Sequence, residues 1–323
     1  MHRSKKSQPR TTQLALRILF AIGAAADVAT AGGFFNNACP GIDTIAGTGG
    51  YSKGTGFGST VCGNGDVASG IFSTAIGNHN TSSANEASTF GYKNTASAVD
   101  STAMGYRTTA SGYYSNAIGF KSSATASWST AVGVNDSAGG LRSTAVGIYN
   151  HASISESSAF GYDNSAAGIQ SSAMGSNNSA SGYRSSAVGF MDSAIGSGRD
   201  SALGYKNTAS GKYSSAVGGH NFASGLKSNA IGYSNYAYAS QATAVGELNR
   251  AGAQTSSAFG FYNKAIGVDS SAFGYRNHAT ATDSSAFGWG NTASLANASA
   301  FGSGNLASGA GSIAAGVNSA AIS

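Results

Sequence analysis

A fourteen-residue period constrains this chain more than any other feature. Aligned on the glycine that closes each Ser-x-Ala-apolar-Gly unit, the glycines are 63, 77, 91, 105, 119, 133, 147, 161, 175 and 189, then 204, 218, 232, 246, 260, 274, 288, 302 and 316. Every step is fourteen except 189 to 204, which is fifteen. A period so short restricts the fold to a stack of like units, each touching only its neighbours. Two residues before the glycine, Ala stands in all units but those of Val61 and Thr89; five after it, Ala stands in all but that of Ser82. Four before it is nearly always Ser. With 47 glycines, 2 prolines and 10% charged residues, the chain is neither a highly charged disordered tail nor a collagen triplet.

Fourteen residues hold two short strands and two tight turns. Side chains alternate between faces along a strand. In Ser143-Thr144-Ala145-Val146-Gly147, Ser143 and Ala145 therefore share one face, and Thr144 and Val146 the other. A two-strand coil is too narrow inside for more than Ala and Ser, so the small face points inward. Glycine supplies the turns, where φ can be positive. Asn or Asp three residues after it (Asn94, Asp136, Asn164, Asn207, Asn263, Asn277) suits a turn as well. The predicted fold is all-β, a parallel β-solenoid of about nineteen coils and on the order of 90 Å long at ~4.8 Å per coil. In the fifteen-residue unit, Gly196-Ser197-Gly198-Arg199-Asp200, the extra residue belongs in a turn, since in a strand it would reverse every later side chain.

One column then remains on the outside: Ile76, Phe90, Met104, Ile118, Val132, Val146, Phe160, Met174, Val188, Leu203, Val217, Ile231, Val245, Phe259, Phe273, Phe287 and Phe301. Monomers rarely expose so long an apolar stripe, so the expectation is burial between parallel rods in a cyclic oligomer. The alternative is that these residues point inward and the solenoid is monomeric. The exposed turn after the glycine is often aromatic, and the aromatic residue is often followed by a basic one: Tyr92-Lys93, Tyr106-Arg107, Tyr205-Lys206, Tyr275-Arg276. Stacking of like residues between coils accounts for such a ladder first; the alternative is a dedicated site for an extended ligand.

Residues 1–31 read as a secretory signal peptide. Basic residues (Arg3, Lys5, Lys6, Arg10) precede the apolar run Ile18–Ala26 and the small-x-small site Ala29-Thr30-Ala31. An amphipathic helix is the alternative, and no segment is long enough for a membrane span. Four of the five net positive charges lie in this segment, so the basic balance is no argument for nucleic-acid binding. Residues 32–58, rich in Gly and Phe, read as an N-terminal cap on residues 59–323. The two cysteines, Cys39 and Cys62, either pair across that boundary or stay free.

Units such as Ser115-Asn116-Ala117-Ile118-Gly119 and Asn207-Thr208-Ala209-Ser210-Gly211 resemble the Hep/Hag repeats of the YadA-like head of trimeric autotransporter adhesins. The resemblance covers about 59–323. It implies a left-handed parallel β-roll, a parallel homotrimer with the apolar residue before the glycine facing the trimer centre, and a surface or secreted adhesin that binds host matrix or cell-surface ligands. Two departures stand out. The residue beside the stripe (Thr74, Thr102, Thr130) is usually Thr or Ser where the family often has Val. No heptads or barrel strands follow the repeats, so the expectation is a truncated adhesin or one secreted without an anchor.

Other functions fit less well. A structural fibre segment would share the repeats. An ice-binding array needs an unbroken threonine column, and Asn116, Ser158 and Asn229 interrupt this one. An enzyme is not expected: His79, His151, His220 and His278 fall on separate coils with no matched acid or nucleophile. No cofactor is implied, and the Gly-Gly-x-Gly-x-Asp repeat of calcium-binding β-rolls is absent.

Overall fold

The computed structural model describes residues 37–38 and 52–322. It is an all-β parallel solenoid of about nineteen fourteen-residue coils, with no helix among the described residues. Each coil holds a five-residue strand and a two-residue strand, as in Thr102–Tyr106 and Thr109–Ala110. The long strands pair in parallel to make one sheet and the short strands make the other. Pairing is in strict register, so Asn116, Ala117, Ile118, Gly119 and Phe120 lie against Thr130, Ala131, Val132, Gly133 and Val134.

Register survives the fifteen-residue coil. Ser186 to Phe190 pair with Ser201 to Tyr205, and the extra residue lies in the turn after Ser193–Ala194. At the N-terminal end, Asn37–Ala38 pairs with Thr60–Val61 and Lys53–Gly54 with Val67–Ala68, which adds one strand to each sheet from within 32–58.

The core is the small column of the sequence. Ala103, Ala110, Ala117 and Ala124 are fully buried, as are Ser101, Ser115 and Ser129. The serines close turns: Ser129 Oγ donates to the Ala126 carbonyl at 2.6 Å. Where Thr89 and Ser82 replace alanine, their hydroxyls bond each other at 2.8 Å across the interior, so the exceptions occur as a satisfied pair.

Two expectations about local conformation need correction. The column glycine is the fourth residue of the long strand rather than a turn residue. It has φ between +111° and +137°, and a Cβ on Gly161 would meet the Gly175 carbonyl oxygen at 2.0 Å. Close backbone approach therefore demands glycine here. The left-handed turn residues are mostly not glycine. They stand two and nine after it, as Arg107 (φ 55°) and Tyr114 (φ 57°) do after Gly105. Their N–H groups bond the preceding coil, Arg107 to the Tyr92 carbonyl at 2.8 Å and Tyr114 to that of Val99 at 3.1 Å. Inter-coil bonding holds them in a conformation that costs about 1 kcal/mol for most residues.

Candidate functional site

The solenoid encloses only Ala, Ser, Thr, Asn and Asp over most of its length, so any recognition falls to its outward columns. The long-strand sheet carries the apolar stripe. None of its residues is buried: Ile76, Phe90, Ile118, Val132, Val146, Phe160, Val188, Val217, Val245, Phe259, Phe273 and Phe287 are half-buried, and Met104, Met174, Leu203, Ile231 and Phe301 are exposed. Phe259, Phe273, Phe287 and Phe301 stack in sequence at 4.8, 5.0 and 5.5 Å. The inward alternative for this column is thus excluded.

The edge after the glycine carries the aromatic column. Tyr92, Tyr106 and Phe120 stack at 5.1 and 5.0 Å, and Phe261 and Tyr275 at 5.3 Å. The following cation lies over its own neighbour's ring: Arg107 over Tyr106 at 5.3 Å, Lys206 over Tyr205 at 5.2 Å, Arg276 over Tyr275 at 5.1 Å. These contacts are worth about 0.5–1 kcal/mol each at exposed sites. Stacking between coils therefore occurs, while Arg107, Lys206 and Arg276 remain exposed.

Sequence reasoning missed the role of the residue three after the glycine. Asn or Asp there suits a turn, yet the side chain is fully buried, at Asn80, Asn94, Asn150 and Asn164 among others. Asn164 Nδ2 reaches Asn150 Oδ1 at 3.0 Å, the Phe160 carbonyl at 2.9 Å and the Gly175 carbonyl at 2.8 Å. Its own Oδ1 accepts from the N–H and Nδ2 of Asn178, both at 3.0 Å. The result is an amide ladder through the interior. One signal was available: from Asn207 to Asn305 the column is Asn in every coil, whereas an ordinary turn position drifts among Gly, Asp, Ser and Asn.

Asp66, Asp136 and Asp192 occupy the same column. Each Oδ1 accepts from the next asparagine, as Asp136 Oδ1 does from the N–H of Asn150 at 2.7 Å and its Nδ2 at 3.0 Å. Each Oδ2 is buried without a hydrogen-bond partner. Burial pushes all three carboxyls above the ordinary carboxylate value, partly offset by the asparagine donors.

Among the described residues no group of His, Cys, Asp and Glu could hold a metal ion, and no helix is long and apolar enough to cross a membrane. Residues 1–31, expected from the sequence to be a signal peptide, and Cys39 lie outside the described residues; Cys62 lies in the strand Thr60–Asn64, against Ile76.

The family model described as the YadA head domain repeat matches the chain twelve times between residues 55 and 305. Five matches overlap across 55–135, four follow at 138–164, 166–190, 199–221 and 223–246, and three overlap across 251–305. A search of curated proteins finds no match.

Proposed function

This chain belongs to the YadA head repeat family, and from that premise we propose that it is the ligand-binding head of a trimeric adhesin for host matrix or cell-surface molecules. The adhesin-type domain follows from the repeats themselves. The single observation that carries the trimer is the outward, unburied apolar stripe from Ile76 to Phe301. An apolar column of that length fits the centre of three parallel rods better than it fits water. Exported display at the cell surface completes the reading, with residues 1–31 as the signal peptide and a Cys39–Cys62 bridge at the entry to the roll.

With the stripe inside the trimer, the aromatic-basic edge faces solvent. Tyr92, Tyr106, Arg107, Tyr205, Lys206, Tyr275 and Arg276 are then the ligand-facing residues. Tyr and Arg combine large contact area with directed hydrogen bonds, which suits them to binding hot spots. The test is adhesion of the purified chain to immobilised matrix proteins and to cultured cells. Retention of wild-type protein, with a several-fold loss in the Tyr106→Ala/Arg107→Ala and Tyr275→Ala/Arg276→Ala variants, is expected. Equal retention of all three proteins would remove this edge from the contact.

A further inference from the structure

The fifteen-residue coil departs from the family pattern in a definite place: the repeat matches stop at residue 190 and resume at 199. There the turn opens a cavity of about 390 Å³ lined by Tyr183, Arg184, Gly198, Arg199, Lys212 and Tyr213, among others. Asp200 stands where most other coils have Ser and is buried. Its Oδ2 accepts from the Gly198 N–H at 3.3 Å and its Oδ1 from the Ser214 N–H at 3.4 Å. A Cβ on Gly182 or Gly196 would meet Asp200 Oδ2 at 2.8 or 2.5 Å, so both glycines make room for it. The carboxylate is turned inward and holds the loop, while the cations are turned outward.

Arg184, Arg199 and Lys212 are exposed. Arg184 lies over Tyr183 at 5.0 Å and Lys212 over Tyr213 at 5.3 Å. Arg184 Nε donates to Gln170 Oε1, and the only ion pair among the described residues is that of Arg142 with Glu156. Along this turn no exposed acid occurs between Glu156 and Asp269, while Lys227 adds a fourth cation one coil beyond Tyr213. On either side the column becomes neutral, with Gln170 before and Gln241 after. The basic run is therefore short, about 14 Å from Arg184 to Lys227 at ~4.8 Å per coil.

We infer that this cavity binds the sulfate or carboxylate groups of an acidic oligosaccharide. Guanidinium forks match planar or tetrahedral oxyanions with paired hydrogen bonds, and the tyrosines supply flat apolar walls with a hydroxyl at the rim. A run this short spans a few sugar units. Duplex nucleic acid, with one charge per ~1.7 Å of axis, gains its affinity from longer basic surfaces. The inference deepens the adhesin reading and rests on it for the ligand's setting, not for the site itself.

The test uses the full chain in titration calorimetry against a size-defined heparin hexasaccharide, a carboxylate-only oligogalacturonide and a neutral cello-oligosaccharide. Binding of either acidic probe but not the neutral one is expected. Lys212→Gln and Arg199→Gln should each weaken it on the order of tenfold and flatten its salt dependence, by analogy with single phosphate contacts. Arg250→Gln, which removes the same charge from an exposed position on the short-strand sheet, should leave it within twofold. Lys212 is exposed, so its variant remains informative should Arg199→Gln fail to fold. Absence of binding, an equal loss in Arg250→Gln, or equal displacement by duplex DNA of matched charge would overturn the site. Adhesion to matrix proteins and cells, measured in parallel, separates the two readings. Adhesion without saccharide binding removes this site and leaves the adhesin. Saccharide binding without adhesion does the reverse.

Discussion

Asp136 shows how one atom sets a pH response at the scale of a single residue. Where Asn150 places an Nδ2 donor against carbonyl oxygens, Asp136 places an Oδ2 with no partner. Its folded carboxyl binds a proton above the ordinary carboxylate pKa of 3.8. Between that value and the raised folded one, the native state holds more protons than the unfolded state, so stability falls as pH rises. The contribution is intact below about pH 3.8 and lost above the folded pKa. Asp136→Asn restores the column's donor. It should stabilise the fold at pH 7 by about 1–3 kcal/mol, the usual cost of an unsatisfied buried group. The gain should shrink towards pH 4, read as the difference in melting temperature from wild type. His278 works in the opposite sense: burial, then the neighbouring Lys264, lower its pKa below 6.5, so its share of stability is lost on acidification below that value. The wild-type subtraction removes it. Gly161→Ala, by contrast, drives a methyl into the Gly175 carbonyl at a φ of +117° and should cost about 3 kcal/mol or more in urea titration.

At the scale of the coil, most of the geometry was legible in the sequence, because each column obeys one constraint. Ala103 and Ala110 are small because the interior is narrow, and Met104 is large because it lies outside. The legible features follow from alternation along a strand. Backbone torsions are the part that alternation does not encode. Column Gly105 therefore read as the residue that makes the turn, and nothing in the alternation marked Arg107 and Tyr114 as the left-handed residues. The amide ladder was hidden for a related reason: asparagine suits turns and ladders alike, and composition does not distinguish them. The ladder gives its own prediction. Asn235 Nδ2 reaches Asn221 Oδ1 at 3.1 Å and the Ile231 and Gly246 carbonyls at 2.9 and 2.7 Å. Asn235→Leu should cost more than about 3 kcal/mol, since several buried groups lose their partner at once. Asn235→Asp should cost less at pH 4 than at pH 7, because a protonated Oδ2 can donate again.

For the whole molecule, the apolar stripe and the basic cavity lie on different columns of the same coil, so the proposed trimer would bury the stripe without drawing on the residues of the cavity. Sedimentation of the purified chain should give a trimer. Phe273→Asp/Phe287→Asp, which breaks the aromatic stack of the stripe, should shift it to monomer while circular dichroism still reports β-structure, because neither residue belongs to the buried core. A monomeric wild type would sink the buried-stripe proposal.

The strict register of the sheets also turns the chain into a length standard. Each fourteen-residue step advances the backbone by one inter-strand spacing, so residue number is a linear coordinate along the axis, with about 0.34 Å per residue. Lys121 and Arg276 occupy equivalent turn positions eleven coils apart. Spin labels there should report a separation of about 53 Å along the axis. Because the fifteenth residue bulges sideways, deleting Ser197 should leave that distance unchanged, whereas deleting a whole coil should shorten it by one graduation of ~4.8 Å.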